Sequence, residues 1–282
     1  MNGNDILAVT MAGLEAGFKV SHIATFDLRT CTSDAKASEI LSDPGLRDFD
    51  QIPVSTDDRI IGVLERKDGL EASVRKCMRP LDDSILVSAE QPLPKFLPNL
   101  ESCPYRLVIQ GSRINGIVTP SDIGKLPVRL MAFTLVTHLE VLIANSIRRQ
   151  FPQDEDWFAR LDTDLRKALK GKLGKRKRRN LHIALLDLTD FSDKIAIVCK
   201  LFKMPEGFQT DLNGIQKLRN SLDHARDFIE GDDGVKMFLE RLRLVERWIE
   251  KFENRATIEM WALHEEVAPP LQAINKEVVR LK

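Results

Sequence analysis

The stretch Ile52-Pro53-Val54-Ser55-Thr56-Asp57-Asp58-Arg59-Ile60-Ile61-Gly62-Val63-Leu64 reads as two runs of β-branched and aliphatic residues around a polar turn. Branched side chains suit a pleated backbone, and Thr-Asp-Asp-Arg supplies the residues that reverse it, so the stretch predicts a β-hairpin. Further along the chain the pattern returns. Ile85-Leu86-Val87 reads as a strand, Leu93 to Leu100 as a helical stretch, and Arg106 to Gln110 and Ile114 to Val118 as a second hairpin around Gly111-Ser112. Gly62 and Gly116 hold the same place in the two passes, 54 residues apart. A repeated strand, helix, strand, strand, helix unit is the signature of a tandem architecture.

From Pro127 onward the strand signals stop and the pattern is helical. Leu130, Phe133, Leu135, Leu139, Leu142 and Ile143 predict a helix over 128–150, ended by Pro152. Asp154, Glu155 and Asp156 favour the start of a second helix reaching Lys170, since carboxylates stabilise a helix N-terminus. Further helices are expected at about 180–203, 209–229, 232–253 and 255–281, and an up-and-down bundle follows. The fold class is therefore α+β and multidomain, with β-α-β-β-α repeats over 1–127 and an all-α domain over 128–282. A chain of 282 residues is long enough for two domains that each bury a core.

Composition narrows the classes. A hydrophobic share of 43% beside 30% charged residues is globular rather than disordered. Formal net charge is zero but unevenly placed: residues 1–126 hold 14 Lys and Arg against 18 Asp and Glu, leaving 28 against 24 for the remainder. Cys31, Cys77, Cys103 and Cys199 lack paired spacing, so neither a zinc site nor a disulfide framework is predicted. The start of the chain shows no basic segment followed by an apolar core, and the apolar run 126–147 is interrupted by Arg129, His138 and Glu140. These features predict a cytoplasmic protein without a membrane span.

Gly116-Ile117-Val118-Thr119-Pro120-Ser121-Asp122-Ile123 resembles the closing strand and helix entry of a CBS domain, whose tandem pairs bind adenine nucleotides. Gly62-Val63-Leu64-Glu65-Arg66-Lys67-Asp68 is the equivalent segment of the first repeat. The resemblance implies that Thr119 faces phosphate and that Asp122 holds the ribose hydroxyls, with Asp68 at the matching position. A carboxylate that accepts both hydroxyls suits that role. In the first repeat Glu65 replaces the threonine and puts a negative charge near any phosphate, so one good nucleotide site is expected, at the second repeat. Thr119 and Asp122 equally suit a helix N-cap, which needs no ligand.

Arg219-Asn220-Ser221-Leu222-Asp223-His224 lies in a predicted helix with Leu212, Ile215 and Leu218 on its apolar face. A fixed cation followed by a group that titrates near neutrality suits phosphodiester chemistry. The segment resembles the signature of HEPN domains, helical bundles found in RNA-cleaving toxins and phage-defence proteins. That resemblance implies a metal-independent endoribonuclease in which His224 is the general base, Arg219 stabilises the phosphate and Asn220 orients it. Five helical residues separate Arg219 and His224 by about 140° and about 7.5 Å of rise, so the site is expected to be composite, formed by a homodimer. Arg219 and Asp223, four apart, could instead form an intrahelical ion pair. Glu140 is a candidate supporting residue.

Nine of the fourteen residues from Arg166 to Arg179 are Lys or Arg and none is acidic. With Gly171 and Gly174 the run reads as a basic loop, and Lys175, Arg176, Lys177, Arg178 and Arg179 are candidate RNA-binding residues. His22, His138, His182 and His264 show no ligand spacing, and Trp157, Trp248 and Trp261 read as core anchors. Together these features predict a ribonuclease that uses no catalytic cofactor and is regulated by an adenine nucleotide, with toxin or defence roles in view. The alternative is a non-catalytic nucleotide-sensing dimer whose bundle binds RNA or a partner protein.

Overall fold

The computed structural model describes residues 9, 12–66, 72–102, 104–177, 184–223, 229 and 233–261. It divides into two compact units, one formed by residues 1–131 and 229–239, the other by 132–228 and 240–282.

The first unit contains β1 (Cys31–Thr32), α1 (Ala37–Ser42), β2 (Gln51–Thr56), β3 (Arg59–Glu65), α2 (Val74–Cys77), β4 (Arg79–Pro80), β5 (Leu86–Ser88), α3 (Leu93–Phe96), β6 (Arg106–Gln110) and β7 (Arg113–Val118). β1 runs parallel to β2, which pairs antiparallel with β3; β5 runs parallel to β6, which pairs antiparallel with β7. Both hairpins predicted from the sequence are present. Each ladder shifts register at equivalent points, Val54/Ser55 and Val108/Ile109, again 54 residues apart. In the first turn Asp57 and Asp58 both have positive φ, 48° and 58°, the mirror-image turn that matches the twist of two-residue hairpins. Gly111 takes φ 63° in the second.

The repeats exchange edge strands. Arg79, at the entry to the second repeat, pairs with Val63 of the first. Thr25, 54 residues before Arg79, pairs with Ile117 of the second through backbone bonds of 2.8 and 2.9 Å. Each segment covers a sheet edge that would otherwise leave unpaired N–H and C=O groups. Gly62 and Gly116 permit the close approach: a Cβ at Gly62 would stand 2.5 Å from the Arg79 carbonyl oxygen, and one at Gly116 would stand 3.0 Å from the Phe26 ring. One apolar cluster joins Ala37, Leu41, Ile52, Val54, Leu64 and Val74, and another joins Val63, Ile85, Tyr105 and Leu107.

Helix α4 (Leu126–Gln150) begins in the first unit and continues in the second. It is long and apolar enough to cross a membrane, but 56% of its most apolar stretch is buried inside the protein, as in a core helix. The second unit continues with α5 (Asp154–Ala159), α6 (Thr163–Lys177), α7 (Phe191–Leu201) and α8 (Phe208–Asp223), then part of α9 (Gly234–Glu253), and α10 (Arg255–Trp261). Its aromatic core sets Trp248 4.8 Å from Phe208 and 6.1 Å from Trp261, with Phe252 5.4 Å from Trp261. Trp248 also donates its indole N–H to Asp211 at 3.1 Å.

Several helical expectations are corrected. The helix predicted over 154–170 is broken after Ala159, and α6 starts afresh because the Asp162 carboxylate accepts from Leu165 N–H at 2.9 Å. The basic run predicted as a loop is helical as far as Lys177. A glycine inside a helix costs only about 1 kcal/mol against alanine, and here the flanking Lys, Arg and Leu favour the helix while Leu169 anchors it in the core. The helix predicted over 180–203 is a short 3-10 turn, Leu185–Leu188, followed by α7, whose start is fixed by a reciprocal Asp190/Asp193 cap.

Candidate functional site

The Thr119 to Asp122 turn joins β7 to a 3-10 helix, Pro120–Gly124. Asp122 is buried, and its two oxygens have different partners. Oδ2 accepts from Thr119 N–H at 2.7 Å and from the Thr119 hydroxyl at 3.1 Å, a capping arrangement that satisfies the helix start. Oδ1 faces the Lys125 ammonium at 2.6 Å and the Thr25 hydroxyl at 3.4 Å. The structure thus brings Thr119 and Asp122 together and adds Lys125 and Thr25, which the sequence reading missed. Lys125 stands three residues beyond Asp122, a spacing that could have been read as a local pair. Thr25 carries no sequence signal, because only the edge-strand exchange brings it here.

In the first repeat the equivalent place is occupied differently. The buried Tyr105 donates its phenol O–H to Glu65 at 3.0 Å, so the residue that departs from the pattern is tied to the second repeat. Asp68 lies outside the described residues.

Arg219 sits on α8 at the edge of the buried stripe Leu212, Ile215, Leu218 and Leu222. That position leaves its side chain 31% exposed and lets Nε reach Glu140 Oε2 of α4 at 3.6 Å. One turn along α8, Asp223 Oδ2 stands 3.5 Å from Arg219 Nη1, so the intrahelical pair is also formed. Glu140 is in turn fixed by Lys194 of α7, whose buried ammonium lies 2.9 Å from Oε1 and 2.6 Å from the Thr189 carbonyl. The guanidinium is therefore aimed by two carboxylates. Asn220 is exposed beside it. His224 lies outside the described residues. Lys175, Arg176 and Lys177 are on the last turns of α6, while Arg178 and Arg179 lie outside the described residues.

The described residues also line cavities elsewhere. One of about 610 Å³ lies at the hairpin turns, lined by Asp57, Asp58, Arg59, Ser112 and Arg113; another of about 370 Å³ is lined by Cys199, Lys203, Met204 and Thr210. Neither is lined by Thr119, Asp122 or Arg219.

No family model and no curated protein matches the chain. Similar solved structures do exist. Several are CBS-domain proteins. A hemolysin-like protein containing a CBS domain from Oenococcus oeni is 17% identical with a TM-score of 0.34, over 41% of this chain and 93% of its own. The CBS domain of a bacterial CNNM/CorC family Mg2+ transporter is 18% identical with a TM-score of 0.33, over 41% and 78%. A CBS domain pair/ACT domain protein from Thermotoga maritima is 22% identical with a TM-score of 0.31, over 37% and 92%. At such scores the strand order and the exchanged edges, not the likeness, describe the fold.

Proposed function

We propose that the chain is an adenine-nucleotide-regulated endoribonuclease, with a CBS pair as sensor and a HEPN-type helical domain as effector. The observation that carries the effector reading is Arg219, a partly exposed guanidinium held in place by Glu140 and placed beside exposed Asn220. A cation fixed before the phosphate arrives needs no reorganisation as charge develops, which is the favourable arrangement for phosphoryl chemistry. In a homodimer the His224 imidazole of one copy takes the proton of the ribose 2′-hydroxyl. The 2′-oxygen then forms its bond to phosphorus as the bond to the 5′-oxygen breaks. The other copy's imidazolium returns a proton to that leaving oxygen. The products are a 2′,3′-cyclic phosphate and a 5′-hydroxyl, and the residues assigned to these steps need no metal.

On the sensor side the reading rests on Thr119 and Asp122, with the ribose hydroxyls assigned to the Asp122 carboxylate. A second reading is favoured by the same Arg219 geometry. Two carboxylates on one guanidinium also make an internal ion pair, which suits a non-catalytic nucleotide-sensing dimer that binds RNA or a partner protein.

The deciding experiment incubates the purified chain with mixed RNA, with and without AMP, ATP and signalling nucleotides, beside Arg219→Ala and His224→Ala. Cleavage to cyclic phosphate ends that both variants lose is expected. No cleavage under any condition, or equal cleavage by the variants, leaves the binding reading in its place.

A further inference from the structure

Lys125 is placed where it can report on Asp122. Its ammonium donates to the Ile23 carbonyl at 2.5 Å, stands 2.6 Å from Asp122 Oδ1 and reaches the Thr25 hydroxyl at 3.4 Å. Of the two Asp122 oxygens, Oδ2 is engaged by the backbone N–H of Thr119, a bond the turn needs. Oδ1 is held by the side chains of Lys125 and Thr25, and side chains can be displaced without unmaking the turn. The backbone of the same lysine begins the long helix. Lys125 is extended, with φ −68° and ψ 149°, between the 3-10 turn and α4, and its carbonyl accepts from Val128 N–H at 3.1 Å and Arg129 N–H at 3.4 Å. Side chain and backbone of one residue therefore join the carboxylate assigned to ribose to the first turn of the helix that carries Glu140.

We propose that Lys125 is an internal occupant of the nucleotide position, holding the Asp122 oxygen that a ribose diol takes, and that its displacement on binding is what α4 senses. The proposal rests on the adenine-nucleotide reading of Thr119 and Asp122. A diol donates two hydroxyls to Oδ1 in place of one ammonium. Once the ammonium leaves Ile23 and Asp122, nothing fixes Lys125 from the side-chain end, and the N-terminal turn of α4 loosens.

The test uses the full chain, calorimetry with adenosine and AMP, and hydrogen exchange over residues 126–131, comparing the wild type with Lys125→Met and Lys125→Gln. Adenosine presents the diol without phosphate, so the lost positive charge does not confuse the comparison. Both variants are expected to bind adenosine about tenfold more tightly, the scale of one charge-assisted hydrogen bond removed from the competitor. Exchange at Val128 and Arg129 should rise when ligand is added to the wild type, and in the variants it should already be fast and unchanged by ligand. Binding by the variants but not by the wild type supports the proposal equally. Unchanged or weaker adenosine binding by both variants overturns it while leaving the nucleotide site standing. If no form of the protein binds either probe, the adenine-nucleotide reading itself fails and this proposal falls with it.

Discussion

Lys194 places a buried ammonium 2.9 Å from the Glu140 carboxylate, and that pair holds the position from which Glu140 reaches Arg219. An ammonium removed from water is costly unless its partners are well placed, so deleting one member is worse than deleting both. Lys194→Met should destabilise the protein by about 3 kcal/mol, and adding Glu140→Leu should recover most of that loss. Urea unfolding of the two single variants and the double variant measures the coupling. Additive effects would show that the two charges do not depend on each other.

Gly62 and Gly116 are equivalent in the repeat but not in their surroundings. At Gly62 a methyl group meets a backbone carbonyl at 2.5 Å, whereas at Gly116 its nearest neighbours are the edge of the 40% exposed Phe26 ring at 3.0 Å and the Val108 Cβ at 3.2 Å, contacts that a shift of a few tenths of an ångström relieves. Gly62→Ala should therefore cost about 2–3 kcal/mol and Gly116→Ala under about 1 kcal/mol. Thermal unfolding of both variants decides it, and equal losses would mean that Phe26 is held as firmly as the backbone.

The hairpins were legible because β-branched runs flanked by Asp-Asp or Gly-Ser specify strands and a tight turn from local residues alone. α4 was legible because its apolar periodicity extends over many turns. The exchanged edges were not, since Thr25 pairs with Ile117 across 92 positions of chain and nothing in either residue names the other. At the basic run two glycines suggest a loop locally, but they do not interrupt a helix that the Asp162 cap has already started. At the candidate site, Arg219 and Glu140 were each visible as residue types, but Lys194, which fixes Glu140, lies 54 positions away and is joined to it only by the packing of α7 on α4.

Stability should depend on pH through groups shifted in opposite directions. Burial, then the neighbouring Glu250 charge, pushes Glu246 up to about 7 despite Arg243 nearby. The folded protein thus binds more protons than the unfolded chain between about pH 4.5 and 7, and this contribution to stability is lost as pH rises through that window. Burial holds His138 below its ordinary value of 6.5, so the unfolded chain binds more protons there and stability is lost as pH falls through that region. Burial, then Glu250, also raises Glu253, so Glu246→Gln should reduce the alkaline-side loss to the part that Glu253 contributes and leave the acid-side loss of His138. Denaturant midpoints from pH 5 to 8 test this; an unchanged profile in Glu246→Gln would place its titration elsewhere.

If RNA is the partner, the basic end of α6 should set the salt dependence of its binding. Each phosphate contact on a single strand contributes about 0.7 to the slope of log affinity against log salt. Lys175, Arg176 and Lys177 are consecutive on a helix, where successive residues turn by about 100°, so one strand meets about two of the three at once. Replacing all three with alanine should therefore lower the slope by about 1.4 rather than the full 2.1. Fluorescence anisotropy with a short single-stranded RNA over a series of salt concentrations gives the number. An unchanged slope would show that RNA does not use this segment, and a fall of about 2 would show that the last turn of α6 unwinds to meet it.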